Sequence, residues 1–253
     1  MRTLVYHDIA PREGRDEVGF PGPLAARYKL EPQDFEAHLD ALAASGARVT
    51  DASGLVSDAL LSLSFDDGGA SALHAAEALE RRGWRGTFFI TTGRLDTPGF
   101  LSRDGACELA RRGHTVGSHS HSHPTYMGKL SRAELDREWA QSREVLAEVL
   151  GTPPAAAAVP GGYVSREVIR SAAAAGYEVL FTSEPTERVQ RRELLVRGRY
   201  TIWSTTPPRV AASYARGAPL ARGRVWLEWN AKKLAKRVSP AAYESLRHAR
   251  ARL

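Results

Sequence analysis

The stretch SLSFDDGG, residues 62–69, runs from an apolar strand pattern directly into two adjacent aspartates and a pair of glycines. Because Asp-Gly is common turn chemistry, the simplest interpretation is a strand that ends in a turn. Later in the chain, GSHSHSHP at 117–124 carries three histidines on alternate positions. Two carboxylates and a histidine cluster together indicate a metal site.

The composition is that of a soluble globular protein. The chain has 253 residues, 43% of them hydrophobic and 25% charged, which fits one domain of α/β barrel size. The only cysteine is Cys107, so a disulfide within the chain and a cysteine-rich zinc site are excluded, and histidine and carboxylate are left as ligands. No apolar run suggests a secretory leader or approaches the ~18 residues of a membrane span. We therefore expect a cytoplasmic location.

Basic residues are concentrated towards the C-terminus. From residue 188 onward the chain has 16 Lys and Arg against 3 Asp and Glu, a net charge of +13, whereas residues 1–187 carry −7. Such a segment suits nucleic acid, anionic lipid or an acidic glycan, and a solvated basic helix is the plain alternative. Since no nucleic-acid motif is recognisable, we expect no nucleic-acid partner and consider peripheral contact with the inner face of an anionic membrane.

Helical patterns that end in glycine and lead straight into strand patterns recur at 43–51, 81–90, 111–119 and 173–182. Glycine just past a helix end supplies the left-handed residue that stops the helix, and the alternation favours parallel βα units. Strands are predicted at 2–7, 47–50, 60–65, 86–90, 114–118, 155–159, 177–182 and 199–203. Helices are predicted near 32–45, 70–82, 103–112, 131–150, 165–175 and 226–252.

A barrel and an open doubly wound sheet both fit this alternation, and in either fold chemistry gathers at the carboxyl ends of the strands. The aspartate pair, the histidine cluster and the segment PGGY at 160–163 each follow a predicted strand. A turn-only interpretation must therefore explain three strand ends at once.

A carboxylate and two histidines with an open position form a common catalytic zinc set, which also suits ferrous iron. Asp67 with two of the three histidines would supply it. In an extended chain His119, His121 and His123 share a face, whereas in a helical turn the outer two do and the central one turns away. The residues alone leave this choice open.

The segments SFDDG, GSHSHSH and AVPGG, in this order and spacing, resemble the polysaccharide deacetylase family, the NodB homology or carbohydrate esterase family 4 domain. The resemblance covers residues 2–205 and includes the opening YHDI and the segment GTFFI. It implies a distorted (β/α) barrel of the NodB type with about seven parallel strands in residues 1–205. Residues 206–253 are then a basic, helical extension packed on or beside the barrel.

The resemblance also implies roles for the site residues. Asp66 is expected to be the general base. Asp67, His119 and His123 are expected to bind one divalent ion, for which we expect Zn²⁺. Close backbone approach to substrate, or alternatively a plain turn, is expected at Pro160, Gly161, Gly162 and Tyr163.

Two features that are usual in the family are missing from this sequence. The arginine that commonly orients the base is missing, with Ala158 at the aligned position. The late catalytic histidine is also absent, and Trp203 or Arg199 is a candidate for that region. The proton for the leaving amine then comes from Asp66, from His7, or from substrate or solvent. We favour Asp66, because one carboxylate can act as base and then as acid.

The expected function is metal-dependent hydrolysis that removes N-acetyl groups from amino sugars of a polysaccharide or glycan precursor, with a lipid-linked saccharide as a candidate substrate. Two alternatives remain. One is a metal-binding, catalytically weak carbohydrate-binding protein. The other is an amidohydrolase of the same fold that acts on a non-sugar amide.

Overall fold

The computed structural model describes residues 1–50, 60–162, 164–187, 190–191 and 193–238. The strands are β1 (Arg2–Tyr6), β2 (Arg48–Thr50), β3 (Leu60–Phe65), β4 (Thr87–Ile90), β5 (Thr115–Ser118), β6 (Ala156–Ala158), β7 (Val179–Phe181), β8 (Gln190–Arg191), β9 (Leu195–Arg197) and β10 (Tyr200–Thr201). The α-helices are α1 (Pro23–Ala26), α2 (Pro32–Ala44), α3 (Ala72–Glu80), α4 (Arg103–Arg111), α5 (Arg132–Leu150), α6 (Arg166–Ala174), α7 (Pro208–Ala215) and α8 (Pro219–Val238).

The strands curl into one sheet in the order β10, β1, β3, β4, β5, β6, β7, β9, all parallel. The short β2 pairs parallel with β3, and β8 pairs antiparallel with β9. Helices α2 to α6 lie between successive strands in the chain, as parallel connections require. The result is the barrel-like arrangement predicted from the βα alternation.

The chain crosses directly from one side of the curled sheet to the other. β9 ends at Arg197 and β10, the strand at the opposite edge, begins at Tyr200, so Gly198 and Arg199 form a two-residue connection, the barrel joint. A Cβ on Gly198 would lie 2.2 Å from the carbonyl oxygen of Glu184. Only glycine leaves room for the backbone to turn this corner.

The core lies between the sheet and the surrounding helices. Phe35, Leu39 and Leu42 form the buried face of α2, at the spacing of one helical stripe. Each such fully buried side chain contributes about 1.5–3 kcal/mol through removal from water. The long helix α5 begins at Ser131 with a capping box completed by Glu134, which satisfies two free backbone donors at its start.

The predicted strands correspond to β1–β7 and β10, and five of the predicted helices correspond to α2–α6. β8, β9, α1 and α7 were not predicted. The predicted C-terminal helix begins earlier, at Pro219, and its part beyond Val238 lies outside the described residues. Helix α7 packs against α2 and β1, while the domain division at residue 205 stays a prediction. Among the described residues, no helix is long and apolar enough to span a membrane.

Candidate active site

The predicted site residues follow two strands that flank β4. Asp66 and Asp67 follow β3, and His119 follows β5, so both segments lie at the carboxyl-end rim of the barrel. The backbone turns sharply beyond each strand, with φ of 76° at Asp67, 63° at Ser120 and 59° at His123. Non-glycine residues rarely adopt positive φ, and such conformations concentrate at functional sites.

Asp67, His119 and His123 form the one group of at least three potential metal ligands found among the described residues. Asp67 Oδ1 lies 3.4 Å from His119 Nε2 and 3.3 Å from His123 Nε2. Donors bound to zinc at about 2.0–2.1 Å in a tetrahedron are about 3.3–3.4 Å apart. Asp67 Oδ1 is also buried without a hydrogen-bond partner among the described residues. The spacing and this orphaned oxygen both fit a divalent ion.

His119 is prepared to act as a neutral ligand. Its Nδ1 lies 3.0 Å from the carbonyl oxygen of Ala158. This oxygen can only accept a hydrogen bond, so Nδ1 carries the proton. The lone pair of Nε2 is then free to bind an ion on the side of the ring where Asp67 lies. Burial lowers the pKa of His119 to about 4. A carbonyl that fixes the tautomer of a ligating histidine is a common second layer around metal sites.

His121, the central histidine, faces away from this group. Its Nδ1 lies 3.0 Å from Thr92 Oγ1. Its backbone N–H and that of Ser122 donate to Glu138 Oε2, at 3.0 and 2.9 Å, and the Ser122 hydroxyl donates to Glu138 Oε1 at 2.6 Å. Since Glu138 projects from α5, this helix anchors the loop that carries both histidines of the group.

The N-terminal segment forms one wall of the site. The ring of Phe20 lies 4.6 Å from that of His123, measured between centroids. The ammonium group of the buried Lys29 donates to three carbonyl oxygens of this segment, those of Arg15, Val18 and Phe20, at 2.5, 2.5 and 2.7 Å. Lys29 therefore holds in place the loop whose Phe20 packs on His123.

Asp66 is held by an arginine from the barrel joint. The two Asp66 oxygens accept bonds from Arg199 Nη1 and Nη2 at 2.6 and 2.7 Å, while Arg199 also donates to Thr182 O and Ser64 Oγ. Burial opposes ionisation of Asp66, but Arg199, His119 and His7 together outweigh it and hold the pKa of this carboxyl below its usual range. Asp66 is therefore a carboxylate at neutral pH.

The family's arginine is absent from its usual position, which is Ala158, but another arginine contacts Asp66. Arg199 reaches Asp66 from the joint between β9 and β10, and its guanidinium lies against the rings of Phe89 and Phe181. The signal in the sequence was an arginine inside an apolar strand pattern. Such a residue needs a buried partner.

His7 follows β1 and also belongs to the site. The charges of Asp67 and Asp66 act on its ring, although burial is the larger effect and lowers the pKa of His7. Its Nδ1 is buried without a hydrogen-bond partner among the described residues. The ring packs on Tyr28 at 4.4 Å, and Tyr28 packs on Trp203 at 4.6 Å. A second group of aromatic side chains, Tyr28 and Trp203, therefore packs beside His7.

The segment after β6 forms a tight turn at residues 160–162. Gly162 has φ of 72°, and a Cβ there would lie 2.2 Å from Ser183 Oγ. Pro160 has no amide hydrogen, and the Gly162 amide donates to Val159 O. Among these three residues, Gly161 is therefore the candidate whose backbone N–H could donate a hydrogen bond to an oxyanion formed from the substrate. Tyr163 lies outside the described residues.

Comparison with known proteins bears on this arrangement. The profile of the family described as polysaccharide deacetylase matches residues 54–180. A peptidoglycan-N-acetylglucosamine deacetylase of Listeria monocytogenes is 29% identical over 111 residues, which are 43% of this chain and 22% of that protein. The chain therefore spans only about a fifth of the length of the curated relatives it matches.

Solved structures show the same fold. A polysaccharide deacetylase from Bacillus cereus superposes with a TM-score of 0.71 at 23% identity, covering 85% of this chain and 68% of that one. A Streptococcus pyogenes deacetylase in complex with acetate gives 0.66 at 19% identity, covering 82% and 94%. The predicted NodB-type barrel is confirmed, with eight parallel strands around the sheet rather than about seven.

Proposed function

Since this chain belongs to the polysaccharide deacetylase family, we propose that it is a metal-dependent hydrolase that removes N-acetyl groups from the amino sugars of a polysaccharide. Deacetylases of this family are generally metal-dependent. The observation that carries the proposal is the pairing of the Asp67, His119 and His123 group with an adjacent carboxylate, Asp66, held by Arg199.

The donor set favours zinc. One carboxylate oxygen and two imidazole nitrogens leave a fourth position open, as at catalytic zinc sites. A divalent ion held by Asp67, His119 and His123 would lower the pKa of water and polarise the acetyl carbonyl. Asp67 suits this task because it is ionised: burial opposes the charge, but His123 outweighs it and keeps the pKa of Asp67 below its usual range.

Asp66 is assigned the role of general base. It lies beside the ligand group, with Oδ2 3.8 Å from His119 Nε2, and Arg199 keeps it ionised and fixed in orientation. A positioned carboxylate that accepts a proton in the transition state contributes about 10²–10⁴-fold in rate. Arg199 therefore acts on the reaction through Asp66, as a positioning residue.

His7 is assigned the proton donation to the leaving amine, in place of Asp66. Both Asp66 oxygens already accept a bond from the positively charged Arg199 guanidinium. Asp66 would therefore hold the proton that it accepts from water only weakly, and would pass it on. His7 lies within the field of both aspartates and has a buried ring nitrogen without a described partner. An imidazole can take up this proton and pass it to the amine.

The proposed substrate is a polymer that contains N-acetylated amino sugars. The Listeria relative is named for peptidoglycan N-acetylglucosamine, and we extend that substrate class to this chain. Phe20 beside His123, and Tyr28 with Trp203 beside His7, offer apolar faces to a sugar ring. The cytoplasmic location and a lipid-linked substrate remain predictions.

The test is acetate release from N-acetylated glycan oligomers and from peptidoglycan, measured with protein that is metal-free, chelated, or reloaded with zinc. We expect release only from the reloaded protein. Zinc binding without release on any glycan would favour the carbohydrate-binding alternative. Faster release from simple N-acetylated amines than from every glycan would favour a non-sugar substrate.

A further inference from the structure

The first part of α8 exposes apolar side chains that the barrel does not cover. Among the side chains that the structure describes, the large hydrophobic ones that are exposed are Leu220, Trp226 and Leu227, at 90%, 49% and 63%. All three belong to this one helix. Leu220 and Leu227 are seven residues apart, which places them on the same stripe two turns apart.

The opposite side of this helix is attached to the barrel. Val225 packs against the main core, and the Arg222 guanidinium bonds to Glu187 at 2.9 Å and to the Tyr200 hydroxyl at 3.2 Å. Arg2, at the start of β1, donates to Ala215 O just before the helix. The exposed stripe is therefore the outward face of a docked helix.

Charge distinguishes this helix from the first three quarters of the chain. Residues 219–238 contain six Lys and Arg and one acidic residue, Glu228, while residues 1–187 carry a net charge of −7. The exposed Arg224 pairs with Glu228 at 3.0 Å. A helix with exposed Leu and Trp and an excess of Lys and Arg is typical of helices that bind at the membrane–water interface.

We propose that α8 docks on an anionic lipid bilayer. Three exposed side chains are too few for a stable protein interface, which takes about 20–30 residues from each side. A bilayer accepts a narrow apolar stripe at its headgroup boundary and gains from every nearby cation. An anionic surface also complements the basic helix and repels residues 1–187, which carry a net charge of −7.

The test is co-sedimentation of the full chain with vesicles of phosphatidylglycerol and phosphatidylcholine in equal parts, and with phosphatidylcholine alone, at low and high salt. We expect binding to the anionic vesicles only, weakened by salt. The double variant Leu220→Ser/Leu227→Ser should lose about tenfold or more in partitioning. The control Ala221→Ser/Ala231→Ser introduces two serines into the same helix and should bind like the unmodified protein.

Equal binding to neutral and anionic vesicles, no binding at low salt, or full binding by the leucine variant would each overturn the proposal. A dimer in solution that the leucine variant dissociates, without any vesicle binding, would assign the stripe to a second copy of this chain. Acetate release from a dissolved glycan should be the same in both double variants. The two proposals can therefore fail separately.

Discussion

The proposed active site has two halves that are built in different ways. The metal half consists of Asp67, His119 and His123, and both histidines come from one loop of five residues. The base half consists of Asp66, Arg199 and His7, and Arg199 lies 133 residues from its partner along the chain. The short spacing of the two histidines is visible in the sequence, whereas only folding brings Arg199 to Asp66.

The largest effect is expected in the metal half. His119→Ala removes a buried ligand and should abolish stoichiometric zinc binding, and with it activity, as measured by metal analysis after dialysis. His121→Ala should keep most of the metal, since this ring bonds to Thr92 instead. An ion held through His121 would show that the loop adopts another arrangement when metal is bound.

The Asp66→Asn variant tests the base half while leaving the metal half unchanged. The amide preserves shape but cannot accept the proton, so zinc content should be unchanged while turnover falls by about 10²–10⁴. Steady-state kinetics on an N-acetylated oligomer, together with metal analysis, measure both quantities. If this variant loses its metal, the roles of the two aspartates have been exchanged.

His7→Ala decides between the two proton donors. We expect turnover to fall by about 10²-fold or more, as for a positioned general acid, with zinc still bound. The exposed His74 in α3 provides the control, and His74→Ala should be as active as the unmodified protein. A loss of less than about tenfold would return the role to Asp66.

Glu138→Gln tests how the loop of the metal half is held. Removing the negative charge weakens three hydrogen bonds to His121 and Ser122, and zinc affinity should fall by about 10–100-fold, the usual effect of such supporting groups. Competition with a chromophoric chelator measures it. Glu144→Gln, an exposed position on the same helix, should leave the affinity unchanged.

Arg199→Lys should shift the pH dependence of kcat/KM. Arginine holds the pKa of Asp66 below its usual range, and lysine cannot make the same two parallel bonds. The pKa of Asp66 therefore rises, and the acidic limb of kcat/KM, which reports the free enzyme's base, moves to higher pH. An unmoved limb would mean that this limb reports another group.

The sequence predicted the elements well because their signals are local, and the three residues chosen as metal ligands, Asp67, His119 and His123, lie together in the structure. Strand patterns, helix-stopping glycines and the spacing of His119 and His123 need no knowledge of distant contacts. Arg199 could not be assigned to Asp66, because nothing within a few residues of either shows that β9 and β10 bring them together. His7 was weighed but not chosen, since the sequence does not show that Arg199 occupies both oxygens of Asp66.

Because of the barrel joint at Gly198 and Arg199, Asp66 is held in position only after the last strands have folded. The last strands of the barrel must dock before the guanidinium can reach Asp66, and contacts of such long separation form late because the loop-closure cost precedes their reward. A nascent or truncated chain that ends before residue 199 can present metal ligands without an ordered base. Hydrolytic activity therefore reports a completed fold, whereas metal content alone does not.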